Sequence, residues 1–425
     1  MARLGKLLGS VVLACIVTMS GAQAQPVTLD VLYAFPAFAR FHEPIAQEFM
    51  KRHPDIKIEF RAPAPTYDDG HQTMMRQAVT GQLPDVYYSG FHLLAELART
   101  LEKRKQVVDL GPLLAAESKE FRDRNYSDRI VALGMVDGKL YGLPFNASTP
   151  IMYFNTELVT KAGGDPKKMP DNWEAVIALA TKIKSGASDV AGVAYNTHDW
   201  PDVWLYHAMI TQAGGTVVDG ERVPLGGPDL GIKALQNFRR FVSDAGMPLI
   251  DWDQSRQQFI AGKIGIFFDT PARLRQVTDL IGNKFTLGTA IFPIDNKAKG
   301  GLPTGGNAAL ITTSDPKKVK AAWEFLKFVT GPDAQKTVVE TTGYLPTNLR
   351  ATGQEFLGPF YEKNPNFRTV ASQMDRSVPW QGYPGGNSVR IWRAQREIIT
   401  SVMRGETDAK AGFERLQKET AALMK

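Results

Sequence analysis

Apolar and polar positions alternate along Ile56-Lys57-Ile58-Glu59-Phe60, the period of a strand with one buried face. Before it, Val27 to Phe35 is rich in β-branched and aromatic residues and predicts a first strand, and Glu43 to Lys51 carries helical spacing that Pro54 ends. After it, Asp68 to Thr80 is again helical up to Gly81, and Asp85 to Tyr88 predicts a third strand. This β-α-β-α-β order implies parallel strands joined by helical crossovers, and such sheets bind ligands in the loops at the carboxyl ends of their strands. Residues just after strands are therefore the first place to look for a site.

Further along, Pro144 to Pro150 is rich in turn formers and precedes the apolar strand Ile151 to Phe154, which predicts a first crossing between two lobes. Trp173 to Ser185, Pro201 to Gln212 and Pro228 to Ala245 predict helices, and Gly265 to Phe268 a buried strand closed by Asp269-Thr270-Pro271. Strands at Phe285 to Phe292 and Ala308 to Thr312 flank a glycine-rich stretch from Gly300 to Gly306, and a helix follows from Lys317 to Val329. The last predicted helices run from Arg390 to Arg404 and on to Met424. The expected architecture is α/β in two lobes. Its first lobe is expected at 25–147 and 287–330, its second at 148–286 and 331–425.

Length and composition agree with this picture. A chain of 425 residues exceeds one ordinary core, and 43% hydrophobic with 22% charged residues is the balance of a folded globular protein. The N-terminus departs from that average: Arg3 and Lys6 precede an apolar run from Leu7 to Met19, and Ala22-Gln23-Ala24 offers small residues at a cleavage site. This is the pattern of a secretory signal peptide over residues 1–24, which implies export to the periplasm. The single cysteine, Cys15, lies inside that run, so a lipid anchor there is the weaker alternative and the mature chain has no thiol for catalysis or metal binding. Loss of Arg3 and Lys6 lowers the formal charge from +6 to +4, and the basic clusters Lys103-Arg104-Lys105 and Lys317-Lys318 lack the interleaved aromatics of a nucleic-acid surface.

Four segments then carry a resemblance. Pro144 to Asn155 (PFNASTPIMYFN), Gly305 to Leu310 (GGNAAL), Gly343 to Pro346 (GYLP) and Phe360 to Pro365 (FYEKNP) resemble the family 1 extracellular solute-binding proteins of bacterial ABC importers, most nearly those for glycerol-3-phosphate. The resemblance implies an α/β, two-lobed periplasmic binding protein fold of type II with an interlobe ligand cleft, and a monomeric, non-catalytic receptor without cofactor or metal. Its partners would be a small-molecule solute and membrane permease subunits driven by a cytoplasmic ATPase, with no nucleic acid. Carried over residue by residue, the family's ligand positions fall on Tyr67, Ser148, Thr270, Gly306, Tyr344 and Arg390, with Trp200 and Trp204 as an aromatic wall. Hydroxyls at Tyr67 and Ser148 suit a polyol, the amide of Gly306 suits an oxyanion, and Arg390 suits phosphate or carboxylate. Phe91-His92 stands where the similar proteins carry a glutamate, and Tyr33-Ala34-Phe35-Pro36 lacks their tryptophan-histidine pair. The ligand is accordingly open between a phosphorylated glycerol compound and a neutral sugar or polyol.

The rival reading is a secreted hydrolase built on Asp68 and Asp69 or on Asp251 and Asp253 as paired carboxylates. Against it, the sequence has neither a G-x-S-x-G elbow nor H-E-x-x-H spacing among its six histidines. A surface adhesin is disfavoured because the α/β order predicts a ligand crevice.

Overall fold

The computed structural model describes residues 26–195, 202–380 and 382–425, so the signal segment with Cys15 and the candidate Trp200 lie outside the described residues. In chain order the strands are β1 (Val27–Leu32), β2 (Ile56–Phe60), β3 (Val86–Gly90), β4 (Met135–Val136), β5 (Lys139–Leu140), β6 (Leu143–Ser148), β7 (Ile151–Asn155), β8 (Ala191–Tyr195), β9 (Ile264–Asp269), β10 (Leu287–Ala290), β11 (Leu302–Ile311) and β12 (Ser377–Pro379). They form a first sheet in the order β12-β11-β3-β1-β2 with β6 also on β11, a second in the order β10-β7-β9-β8, and the small β4-β5 hairpin.

The expected parallel core is present: β1 pairs in parallel with both β2 and β3. Each helix between them starts or stops on a local signal. Thr66 caps Tyr67–Thr80 by accepting from Asp69 N at 3.1 Å, and Gly81 ends that helix at φ 70°, a conformation that glycine adopts without a Cβ penalty. The helices Ala39–Arg52, Pro316–Val329 and Pro332–Thr341 cover one face of the first sheet, around a core that includes Phe41, Phe49, Phe145 and Phe325. In the second lobe, Trp173–Gly186, Gly227–Ser243, Ser388–Arg404 and Ala409–Leu423 pack with the second sheet around Trp173, Phe238, Phe241 and Phe268.

The strand pairing corrects the expected boundaries. β10 pairs antiparallel with β7, so residues from 287 to 290 belong to the second sheet and the return to the first begins with β11. Helix Pro332–Thr341 packs on helix Ala39–Arg52, which keeps it with the first lobe past the expected crossing at 331. The turn-rich segment Pro144 to Pro150 is mostly strand, because β6 pairs antiparallel with β11 through Gly305–Ser148 and Gly306–Ala147. The glycine-rich stretch is likewise strand from Leu302 onward. Backbone pairing between β6 and β11 outweighs the turn propensity of these residues. Among the described residues no helix is long and apolar enough to cross a membrane.

Candidate functional site

The chain passes between the lobes at Thr149-Pro150, and the strand ends on either side converge there. Ser148 ends β6, Gly306 lies opposite Ala147 on β11, and Thr270 directly follows β9. Gly306 has φ 103°, and a Cβ on it would stand 2.3 Å from the Asn146 carbonyl oxygen, so only glycine fits this strand crossing. From the first lobe Tyr67 opens a helix, and Tyr344 follows helix Pro332–Thr341, its amide donating to Thr342 Oγ1 at 3.1 Å.

These residues line one cavity whose wall is Phe35, Phe38, Tyr67, Ser148, Trp204, Trp252, Thr270, Ala272, Arg273, Gly305, Gly306 and Tyr344. Six of the eight candidates therefore meet: Tyr67, Ser148, Trp204, Thr270, Gly306 and Tyr344. Trp204 is fixed as a wall by donating Nε1–H to the Pro303 carbonyl at 2.7 Å and by stacking on Trp380 at 5.9 Å. Tyr67 accepts from Asn307 Nδ2 at 2.9 Å, and burial pushes its phenol up to about 12, so it faces the cavity as a neutral hydroxyl. Burial likewise raises Tyr344 well above its ordinary value.

Arg390 is not part of this wall. It lies in the first turn of helix Ser388–Arg404, whose N-terminal Ser388 N–H donates to Glu96 Oε2 of the first lobe at 3.4 Å, and its side chain is exposed. The arginine that does line the cavity is Arg273, four residues after the end of β9. Its guanidinium carbon stands 5.4 Å from the ring centroid of Phe38 and 5.5 Å from that of Trp252, one ring from each lobe. Among the described residues no carboxylate lies within salt-bridge distance of it, and its Nε is buried without a hydrogen-bond partner. Burial first, then the neighbouring charge of Arg256, pulls its pKa down. A guanidinium nevertheless stays protonated in proteins, so the cavity wall carries a fixed positive charge.

Sequence reasoning also missed Trp252, Phe35 and Phe38. Trp252 opens a helix behind a capping box in which Asp251 Oδ1 accepts from Gln254 N at 2.7 Å. The signal for Arg273 was the general rule that residues after strand ends line the crevice, applied to Thr270 but not carried three positions on, whereas Trp252 precedes β9 and directly follows no strand. Neither Phe91 nor His92 lines this cavity: His92 is fully buried, stacked on Trp380 at 4.6 Å. Three of the four acids considered for a hydrolase have local partners, whereas Asp68 Oδ1 is buried without a hydrogen bond among the described residues. Asp251 caps a helix, Asp253 pairs with Arg256, and Asp69 accepts from Thr66 Oγ1 at 2.7 Å. Among the described residues no cluster of His, Cys, Asp and Glu is placed to hold a metal ion.

Comparison with known proteins agrees with the fold. The sn-glycerol-3-phosphate-binding periplasmic protein UgpB of Agrobacterium fabrum is 23% identical over 396 residues, covering 90% of this chain and 88% of its own. The crystal structure of UgpB from Mycobacterium tuberculosis in complex with glycerophosphocholine superposes with a TM-score of 0.79 at 20% identity, covering 93% of this chain and 98% of that one. The cyclic alpha-maltosyl-1,6-maltose binding protein from Arthrobacter globiformis gives 0.76 at 19% identity, with 94% and 99% covered. The sequence profile of the bacterial extracellular solute-binding proteins matches residues 35–336, and the chain belongs to that family.

Proposed function

We propose that this protein is the periplasmic solute-binding subunit of a bacterial ABC importer. In this reading it closes its two lobes around a small anionic polyol, glycerol-3-phosphate or a glycerophosphodiester, and presents it to the permease subunits. The protein performs no chemistry on its solute. Contacts from both lobes to one ligand stabilise the closed arrangement over the open one by the ligand's differential affinity, and the permease reads that difference. The observation that carries the anionic class is Arg273, a charged cavity-wall residue with no carboxylate within salt-bridge distance. A guanidinium at the cavity wall with no carboxylate among the described residues to neutralise it favours an oxyanion, to which it donates charge-assisted hydrogen bonds. Ser148, Thr270 and the Gly306 amide supply neutral donors along the same wall.

A second reading has its own support. Six aromatic side chains line the cavity, and stacked rings suit the apolar faces of a neutral sugar. A calorimetric panel of glycerol-3-phosphate, glycerophosphocholine, maltose and glucose, run on wild type and Arg273→Ala, separates the two. Binding of a phosphorylated glycerol that weakens about tenfold or more in Arg273→Ala is expected. Binding of sugars alone, indifferent to Arg273, would replace the anionic reading with the neutral one.

A further inference from the structure

Behind the Trp252 side of the cavity is a set of buried charges that ligand binding through Arg273 alone leaves unexplained. Arg256, one turn along the helix from Trp252, and Arg273 both face the Trp252 indole, their guanidinium carbons 5.3 and 5.5 Å from its centroid. Asp269 accepts the indole Nε1–H at 2.9 Å and the Thr270 N–H at 2.7 Å, both through Oδ1. Arg256 Nη2 pairs with Asp253.

Three atoms of this group remain: Asp269 Oδ2, Arg256 Nη1 and Arg273 Nε are all buried and all without a hydrogen-bond partner. Asp269 and Arg256 are themselves more than nine-tenths buried, 7% and 9% exposed. A buried polar group left unpaired is destabilising, more so when charged, and native proteins leave few of them. Three around one indole, on residues that line the cavity or directly adjoin those that do, mark the place of a partner that comes and goes.

We propose that Asp269 Oδ2, Arg256 Nη1 and Arg273 Nε form a polar subsite of the cavity that holds an oxyanion together with a hydroxyl on the adjacent carbon of the ligand. The two guanidinium N–H groups need an acceptor, which a phosphate or carboxylate provides. Asp269 Oδ2 needs a donor, which an ionised phosphate or carboxylate lacks and a neighbouring hydroxyl has. A neutral polyol would leave the arginines without a counter-charge, and an anion without the hydroxyl would leave the carboxylate facing only acceptors. Glycerol-3-phosphate, with its phosphate on one carbon and a hydroxyl on the next, and 2-hydroxy acids of the sugar-acid type meet both demands. This inference rests on the anionic reading above and narrows it.

The test compares glycerol-3-phosphate with 3-hydroxypropyl phosphate, which lacks only the middle hydroxyl, by titration calorimetry on wild type, Asp269→Asn and Arg273→Gln. Wild type is expected to prefer glycerol-3-phosphate about tenfold or more, because a site built to bond a hydroxyl rejects the analogue that leaves its polar group unpaired. Asp269→Asn should bind both with a ratio near one, and Arg273→Gln should weaken both about tenfold or more. Equal affinities in wild type would overturn the subsite while leaving the anionic reading in place, and this result needs no variant to fold. So would an Asp269→Asn protein that folds and keeps the wild-type ratio. If Asp269→Asn does not fold, a crystal structure of wild type with glycerol-3-phosphate decides: the middle hydroxyl on Asp269 Oδ2 supports the subsite, and a water there with the hydroxyl elsewhere overturns it. A wild type that binds maltose and neither phosphate would overturn both the anionic reading and the subsite that rests on it.

Discussion

Two buried polar clusters lie near the cavity, and they differ in how their hydrogen bonds close. In the first, Trp380 Nε1–H donates to His207 Nδ1 at 3.0 Å, His207 Nε2 meets Tyr383 Oη at 3.1 Å, and Gln395 Nε2 donates to Tyr383 Oη at 2.7 Å and Thr420 Oγ1 at 2.9 Å. Because the indole donates, His207 accepts at Nδ1 and carries its proton on Nε2. Here only Gln395 Oε1 lacks a partner. In the second, around Trp252, two guanidinium nitrogens and a carboxylate oxygen lack one. A cluster that closes on itself stabilises one arrangement of the chain. A cluster that does not is held in place by the surrounding fold and keeps binding capacity for something else.

The comparison is broken most sharply at His207. Replacing it with Ala removes a 1% exposed ring and leaves the Trp380 N–H and one side of the Tyr383 hydroxyl unpaired, which should destabilise the fold by about 4 kcal/mol. Urea unfolding reads this directly. Arg273→Ala should do the reverse: stability within about 1 kcal/mol of wild type or slightly higher, because an unpaired buried charge is gone, and anion affinity down by about tenfold to a hundredfold. If both variants lost mainly stability, the two clusters would not differ in kind.

Proton linkage sharpens the contrast, because the clusters respond to pH with opposite sign. Burial pushes His207 from 6.5 down to about 3, so the unfolded chain binds the proton more readily. Its contribution to stability is complete above pH 6.5 and is lost as pH falls toward 3. Burial pushes Asp269 from 3.8 up to about 6, against the opposing charge of Arg256 and the hydrogen bonds from Thr270 and Trp252. The folded state then binds the proton more readily, and stability from this group is greatest below 3.8 and lost as pH rises through 6. Between pH 7 and 5, His207 should withdraw about 2 kcal/mol and Asp269 restore about 1 kcal/mol. Urea midpoints at the two pH values should show a smaller acid loss in His207→Gln than in wild type, and a larger one in Asp269→Asn.

How far the sequence carried the fold follows from the same distinction between local and non-local forces. Ile56–Phe60 and Trp173–Gly186 were legible because alternation and capping by Asn172 are local. β6 and the start of β11 were not, because Pro144, Asn146, Gly305 and Gly306 are turn formers that become strand only by pairing with each other. In the site, Tyr67, Ser148, Thr270, Gly306 and Tyr344 were found through motif segments and strand ends. Arg273 lies in no motif segment and four residues past the end of β9. Its importance comes from Phe38 and Trp252, which flank its guanidinium from residues 235 and 21 positions earlier in the chain (273 − 38 and 273 − 252).

The smallest expected effect is the one that tests this most directly. Residue-by-residue resemblance to the family implies that Arg390 meets the anion, whereas the function proposed above gives that role to Arg273, which lines the cavity. Arg390 is exposed in the first turn of its helix and, among the described residues, has no carboxylate within salt-bridge distance. Arg390→Ala should therefore change stability by less than about 0.5 kcal/mol. Its affinity for glycerol-3-phosphate should stay within about twofold, since a solvated charge away from the cavity acts only through a screened field. Calorimetry on Arg390→Ala beside Arg273→Ala gives two numbers whose order decides the matter. A large loss at Arg390 with none at Arg273 would mean that the liganded protein brings helix Ser388–Arg404 to the solute, and that the anion pole lies at the Glu96 side of the cleft instead of at Trp252.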